Sequence, residues 1–191
     1  IEKKIKQVPS PEDIDRVFCA ANQDIQDYLW TVRDTMGRIG EINRLTWDDV
    51  DLKDRYVILY TRKKRGGHLT PRKIPMTIRL HEILQRRHDL RDENLPWVFV
   101  NRYVDRETGK EVAGPYKYRR TILGTLCKKA KVRRFTFHPI RHSGASIMDN
   151  ENVPIGVIQR LLGHEHRSTT EIYLHSIGKL EEAAISVYEK A

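Results

Sequence analysis

The 191-residue chain predicts a mainly α-helical domain with a small antiparallel β-sheet, an α+β fold. Three observations predict it. Apolar residues recur at i, i+3 and i+4 along most of the chain, in runs opened by capping residues or prolines. Two short β-rich runs near the middle flank a stretch of glycines and charges, as in a hairpin. A content of 39% hydrophobic and 32% charged residues describes a globular domain rather than a disordered tail, and the length suits one core.

Residues 1–9 are basic and short of apolar side chains; they read as a linker, and a start at Ile1 suggests a fragment. Ser10 caps the first helix, with Pro11 at its first position and Glu12 and Asp13 in its first turn. Its stripe is Ile14, Val17, Phe18, Ala21 and Ile25, and a break near Asn22 separates it from a second helix carrying Tyr28, Leu29, Val32 and Met36. Gly37 opens the turn to a third helix that buries Ile39, Ile42 and Leu45. Residues 56–60 and 73–76 are the strands, and 62–67 the mobile tip between them. A helix over about 77–90 turns Ile78, Leu80, Ile83 and Leu84 inward, 97–100 is a short buried strand or extended segment, and 101–114 is polar and loop-like. A helix over 116–130 carries Tyr118, Ile122, Leu123, Leu126 and Cys127 on its apolar side. Helices over 139–150 and 154–162 follow, the second begun by Pro154, and a last one over roughly 178–190 closes the chain. No internal repeat or low-complexity segment is present.

A net charge of +9 and a pI near 9.6 favour a polyanionic partner, most simply DNA or RNA; the plainer alternative is a basic protein with no nucleic-acid role. Cys19 and Cys127 both fall in helical segments and are expected as buried thiols in a reducing compartment. No apolar run approaches a membrane span and no signal peptide is visible.

The chemistry concentrates late in the chain. In Phe137-His138-Pro139-Ile140-Arg141-His142, a proline suited to the first helical position places His138 and Arg141 on one face near a helix N-terminus, where free N–H groups and the dipole favour an anion. Leu162-Gly163-His164 follows, and Tyr173 stands nine residues beyond His164. Between them, Ser168-Thr169-Thr170-Glu171 has the form of a capping box, which puts Tyr173 about one turn into a short new helix. His142 repeats the helix-face spacing with His138, yet no glutamate, cysteine or carboxylate cluster completes a zinc ligand set; His142 is expected to be structural or a polar neighbour of the site, and no metal or other cofactor is expected.

This order, HPIRH, then LLGH, then a tyrosine nine residues on, resembles the tyrosine recombinase (phage integrase) family. The upstream part of the match is Gly37-Arg38-Ile39-Gly40-Glu41-Ile42 leading into Leu45-Thr46-Trp47-Asp48-Asp49-Val50-Asp51-Leu52, and the resemblance spans roughly residues 10–176. It implies the family's DNA breaking-rejoining catalytic fold. It assigns a phosphate clamp to Arg38 and Arg141, the base to His138, a phosphate hydrogen bond to His164 and the nucleophile to Tyr173, with Glu41 bracing Arg38. Ordinary surface arginines, a core tyrosine and an exposed i,i+3 pair are the plainer readings of the same residues. Family members carry a general-acid lysine on the hairpin tip. Here Arg62 occupies the position that counting from Arg38 gives, and a guanidinium is a poor acid, so Lys63 is preferred and Lys64 is second. Thr35-Met36-Gly37 also departs from the family's usual Thr-Gly-x before the arginine.

The expected protein is the catalytic domain of a site-specific DNA recombinase or integrase from a prophage or other mobile element, acting without ATP in the bacterial cytoplasm at the nucleoid. Its expected partners are double-stranded DNA and further copies of itself, a tetramer in the synaptic complex and a monomer without DNA, and no membrane. Residues 10–177 form the catalytic domain, 1–9 the linker from a missing core-binding domain, and 178–191 a terminal helix suited to docking on a neighbouring protomer. A type IB topoisomerase-like nicking-closing enzyme and a non-catalytic DNA-binding module are the rivals.

Overall fold

Ser10 accepts a hydrogen bond from the Asp13 amide at 3.1 Å and starts α1 (Pro11–Cys19), whose buried face is Ile14, Val17 and Phe18. The computed structural model describes residues 8–62, 67–164 and 170. Asn22 breaks the chain and caps α2 (Gln23–Thr35), its side chain accepting from the Ile25 amide at 3.0 Å. Tyr28, Leu29 and Val32 of α2 lie at the centre of the core. The third helix is a single turn, α3 (Ile39–Ile42), followed by a short 3₁₀ turn at Trp47–Asp49. Cys127 is buried as expected, but Cys19 is exposed: it is the last residue of α1 and lies outside the buried stripe of Ile14, Val17 and Phe18.

A three-stranded antiparallel sheet follows in the order β1 (Val50–Asp51), β2 (Tyr56–Arg62), β3 (Leu69–Pro75). Val57 pairs with Ile74 and Leu59 with Arg72, so these four side chains share the inner face. Both strands run further than the sequence suggests. Pro71 and Pro75 are tolerated because β3 is the edge strand and has no neighbour on its outer side among the described residues. Thr77 caps α4 (Ile78–Asp89) through the Leu80 amide. Leu80, Ile83 and Leu84 are buried as expected, whereas Ile78 is 75% exposed, because it lies about 200° around the helix from Leu80.

Residues 97–100 run extended beside the end of α3: the Val98 amide donates to the Leu45 carbonyl at 2.9 Å and Trp97 bridges to Thr46. The stretch expected to be a loop forms a hairpin, β4 (Val100–Val104) with β5 (Glu111–Pro115), paired from Val100–Pro115 to Val104–Glu111. Neither strand has a buried residue, so both lack the apolar alternation that marks a strand in sequence; Asp105 shapes the turn by accepting from the amides of Glu107 and Thr108.

The helix expected from 116 begins six residues later, as α5 (Ile122–Lys129). Arg119 holds the preceding segment in place: its guanidinium lies 4.3 Å from the Tyr28 ring centroid and 4.0 Å from that of Tyr116, and pairs with Asp24 at 3.5 Å. Tyr118, expected on the apolar side, is 84% exposed. The chain continues through α6 (Phe137–Asn150) and α7 (Ile155–Leu162). Most apolar side chains join one core built on α1, α2, α4, α5 and the sheet; Met36, Ala145, Ile158 and Leu162 form a smaller cluster under α6 and α7. No described helix is long and apolar enough to cross a membrane.

Candidate active site

The turn before Arg38 explains the departure from the family's glycine position. Met36 takes the left-handed conformation (φ 49°) at the end of α2, with its side chain buried. Gly37 is needed for space instead: a Cβ there would lie 2.7 Å from Ile42 Cδ1. Arg38 then stands at the start of α3. Its amide donates to Glu41 Oε2 at 2.8 Å and its Nη1 to Glu41 Oε1 at 3.2 Å, while its side chain stays 44% exposed. Glu41 therefore contacts Arg38 twice.

Glu41 has a second arginine that the sequence reading missed. Arg72 Nη2 donates to Glu41 Oε2 at 2.6 Å and Nη1 to Oε1 at 3.1 Å; its Nε donates to the Leu161 carbonyl at 3.1 Å. The Thr61 hydroxyl donates to Glu41 Oε1 at 2.8 Å and itself accepts from Arg72 Nη1. Burial alone would raise the Glu41 carboxyl, but the hydrogen bonds and charge of Arg72, with the Arg38 amide and Thr61 hydroxyl, hold it at about 2. A signal for Arg72 was present. It stands two residues before Ile74 on the inward face of β3, and a charge at an inward position requires a buried partner. A strand begun at Lys73 does not include it.

Arg141 lies one turn into α6, which begins at Phe137 rather than at Pro139. Proline at the third helical position still removes no intrahelical hydrogen bond, because the first four amides have no such partner. His138 and Arg141 share a helix face, as expected from their spacing. Arg141 is buried, at 2% exposure, and donates to the carbonyls of Met36 and Leu162. The His138 and His142 rings meet edge to face, with centroids 4.7 Å apart. Among the described residues, no three His, Cys, Asp or Glu side chains converge as a metal ligand set.

The last carbonyls of α7 thus receive arginines from two elements, Arg72 at Leu161 and Arg141 at Leu162. Gly163 ends α7 in the left-handed conformation (φ 61°), and His164 follows, its Nδ1 3.0 Å from the Thr170 hydroxyl. Burial and then the charges of Arg141, Arg38, His138 and Arg72 push His164 down to about 4. The structure brings Arg38, Glu41, His138, Arg141 and His164 together from α3, α6 and the end of α7. Lys63, Lys64 and Tyr173 lie outside the described residues, as do the capping-box positions other than Thr170 and the tail from 178.

Comparison with protein families matches residues 11–179 to the phage integrase family. The chain belongs to that family. Among its relatives is the tyrosine recombinase XerA of Pyrococcus furiosus, 31% identical over 147 residues, covering 76% of this chain and 48% of that protein. The tyrosine recombinase XerC of Proteus mirabilis is 28% identical over 182 residues, covering 91% and 57%. The chain spans about half the length of the curated relatives it matches. Its phage integrase fold matches the crystal structure of XerA recombinase with a TM-score of 0.73 at 21% identity, covering 97% of this chain and 66% of that one. It matches the Tn1549 transposon integrase, solved in complex with circular intermediate DNA, with a TM-score of 0.71 at 18% identity, covering 100% and 69%.

Proposed function

We propose that this chain is the catalytic domain of a site-specific DNA recombinase, from a prophage or other mobile element, that cuts and rejoins strands through a covalent 3′-phosphotyrosine. The observation that carries the reading is the convergence on His164 of positive charge from Arg141 and Arg38, with His138 beside them, in a chain of net charge +9. Such a cluster suits a phosphodiester passing through a transition state with added negative charge on its non-bridging oxygens.

In this reading Arg38 and Arg141 hold those oxygens. Arg141 is fixed by two backbone carbonyls, so its guanidinium needs little reorganisation when charge develops. His164 is neutral at physiological pH, and a neutral imidazole keeps one N–H to give a phosphate oxygen. Tyr173 attacks phosphorus; a free phenol has a pKa near 10, so His138 takes its proton. The tether from Thr170 to Tyr173 is three residues, at most about 10 Å of extended chain, and the Thr170 hydroxyl is in contact with His164. Lys63, or Lys64 in its place, protonates the departing 5′-hydroxyl. A 5′-hydroxyl from a partner duplex reverses the step, so the bond energy is kept without ATP. The partners are double-stranded DNA and, in the synaptic complex, three further copies of the protein; the setting is the bacterial cytoplasm.

Trapping on nicked suicide DNA with the full protein tests this. Wild type is expected to give a covalent adduct that survives denaturation, and Tyr173→Phe to bind DNA and give none. Adduct formation by the phenylalanine variant at the wild-type level overturns the nucleophile assignment. Religation of only the original strand in a two-duplex assay points to a nicking-closing enzyme.

A further inference from the structure

We propose that Arg72 is a positioning residue: by answering the buried Glu41 carboxylate it leaves the positive charge of Arg38 available to an anionic phosphate oxygen. The proposal rests on the reading above for the role of Arg38.

Three charges meet here, and their sum is +1. Glu41 is 4% exposed, and a carboxylate that deep requires a counter-charge. Arg72, 9% exposed, meets both of its oxygens in a fork. Arg38 touches the same carboxylate with one guanidinium nitrogen at 3.2 Å and remains 44% exposed. The buried guanidinium therefore matches the buried carboxylate, and the surplus charge rests on the exposed one. Facing Glu41 are Arg38 from its own helix, Thr61 on β2 and Arg72 on β3, with His164 beyond Arg72 at the end of α7. Without Arg72, Arg38 is the one guanidinium shown bonded to Glu41 among the described residues. Arg38 and Glu41 then close into a neutral pair, and a phosphate has to compete with a carboxylate already in place.

Arg72 also bonds the Leu161 carbonyl, so a purely structural role, fastening the sheet to α7, is the rival explanation. Charge arithmetic separates the two. Arg72→Met removes both functions; Arg72→Met/Glu41→Gln still lacks the fastening but restores a net charge of +1 on Arg38.

The test is single-turnover cleavage of suicide DNA by the full protein, with DNA affinity and thermal unfolding measured alongside. Arg72→Met is expected to cut about 10²-fold more slowly than wild type. The double variant is expected to cut about tenfold faster than Arg72→Met, a sign reversal that additive damage does not give. Lowering the pH towards the carboxylate range is expected to raise the rate of Arg72→Met relative to wild type, because protonating Glu41 removes the competitor; the double variant shows no such rise. Arg72→Lys, which keeps the charge without the fork, is expected to stay within about tenfold of wild type. A double variant no faster than Arg72→Met, a lysine variant as slow as the methionine one, or Arg72→Met at the wild-type rate overturns the proposal. Carbon-13 NMR of the Glu41 carboxyl gives a readout independent of cleavage: it is expected to titrate at higher pH in Arg72→Met than in wild type. No adduct from wild type refutes the recombinase reading, whereas unchanged Glu41 titration in Arg72→Met refutes the charge-balance proposal by itself.

Discussion

At His164, burial and neighbouring charge act in the same direction, each disfavouring the protonated ring. Its folded pKa of about 4 lies below the ordinary 6.5. Between those values the unfolded chain binds more protons, so this residue's contribution to stability is complete above about pH 6.5 and falls as the pH drops towards about 4. Glu41 acts lower: its contribution is present above the ordinary 4.5 and is lost as the pH falls towards about 2. Denaturant unfolding across the higher window is expected to show a slope that His164→Gln flattens; an unchanged slope contradicts the neutral, half-buried imidazole. Binding of DNA, on the proposed function, brings a phosphate to the ring and is expected to raise its pKa, as nitrogen-15 NMR can read. Gly37 makes a separate prediction. The short distance from a Cβ there to Ile42 means that Gly37→Ala overpacks the turn before Arg38, at a cost of about 1–3 kcal/mol in chemical denaturation.

The end of α7 is the element on which the site depends. Its carbonyls are held by Arg72 and Arg141, and its cap at Gly163 takes a left-handed φ where a Cβ would come within 3.1 Å of Arg72 Nη1 and Thr61 Oγ1. Gly163→Ala is therefore expected to lower stability by about 1 kcal/mol or more. It is also expected to slow cleavage more than it weakens DNA binding, since His164 is the next residue. Equal stability in the alanine variant rules out close packing of Gly163 against Arg72 and Thr61. The β2–β3 hairpin serves the site differently. Its inner face places Thr61 and Arg72 at Glu41, while its tip, residues 63–66, lies outside the described residues.

For the whole molecule, the smaller cluster of Met36, Ala145, Ile158 and Leu162 joins the turn before Arg38 to α6, which carries Arg141, and to α7, which leads into His164. Loss of packing there is expected to affect both. Ile158→Ala, at a fully buried position, is expected to cost about 2–5 kcal/mol. On the proposed function, DNA binding is expected to weaken with salt by about 0.9 in log K per unit of log salt for each phosphate neutralised. Tight, salt-insensitive binding of one short duplex by residues 1–191 alone contradicts that picture. Removing the residues after Gly178 is expected to weaken synaptic assembly more than single-site binding; assembly unchanged by the truncation rules out docking of the tail on a neighbouring protomer.

The sequence by itself determined the fold class, most helices, the central hairpin and the spacing that sets His138 beside Arg141. Those features follow from local rules: the cap at Ser10, the break near Asn22, i, i+3, i+4 stripes, and the β-rich run of β2. It also carried the family resemblance, because motif order survives without knowledge of contacts. Only the tertiary structure decided the rest. The β4–β5 hairpin, with no buried residue, has no apolar alternation to betray it, and the segment before α5 is held by Arg119 against rings from Tyr28 and Tyr116. Arg72 became a partner of Glu41 through strand register, and Arg141 became buried through carbonyls 105 and 21 residues away along the chain. A buried charge is specified by what surrounds it, and those surroundings are assembled from residues far apart in sequence.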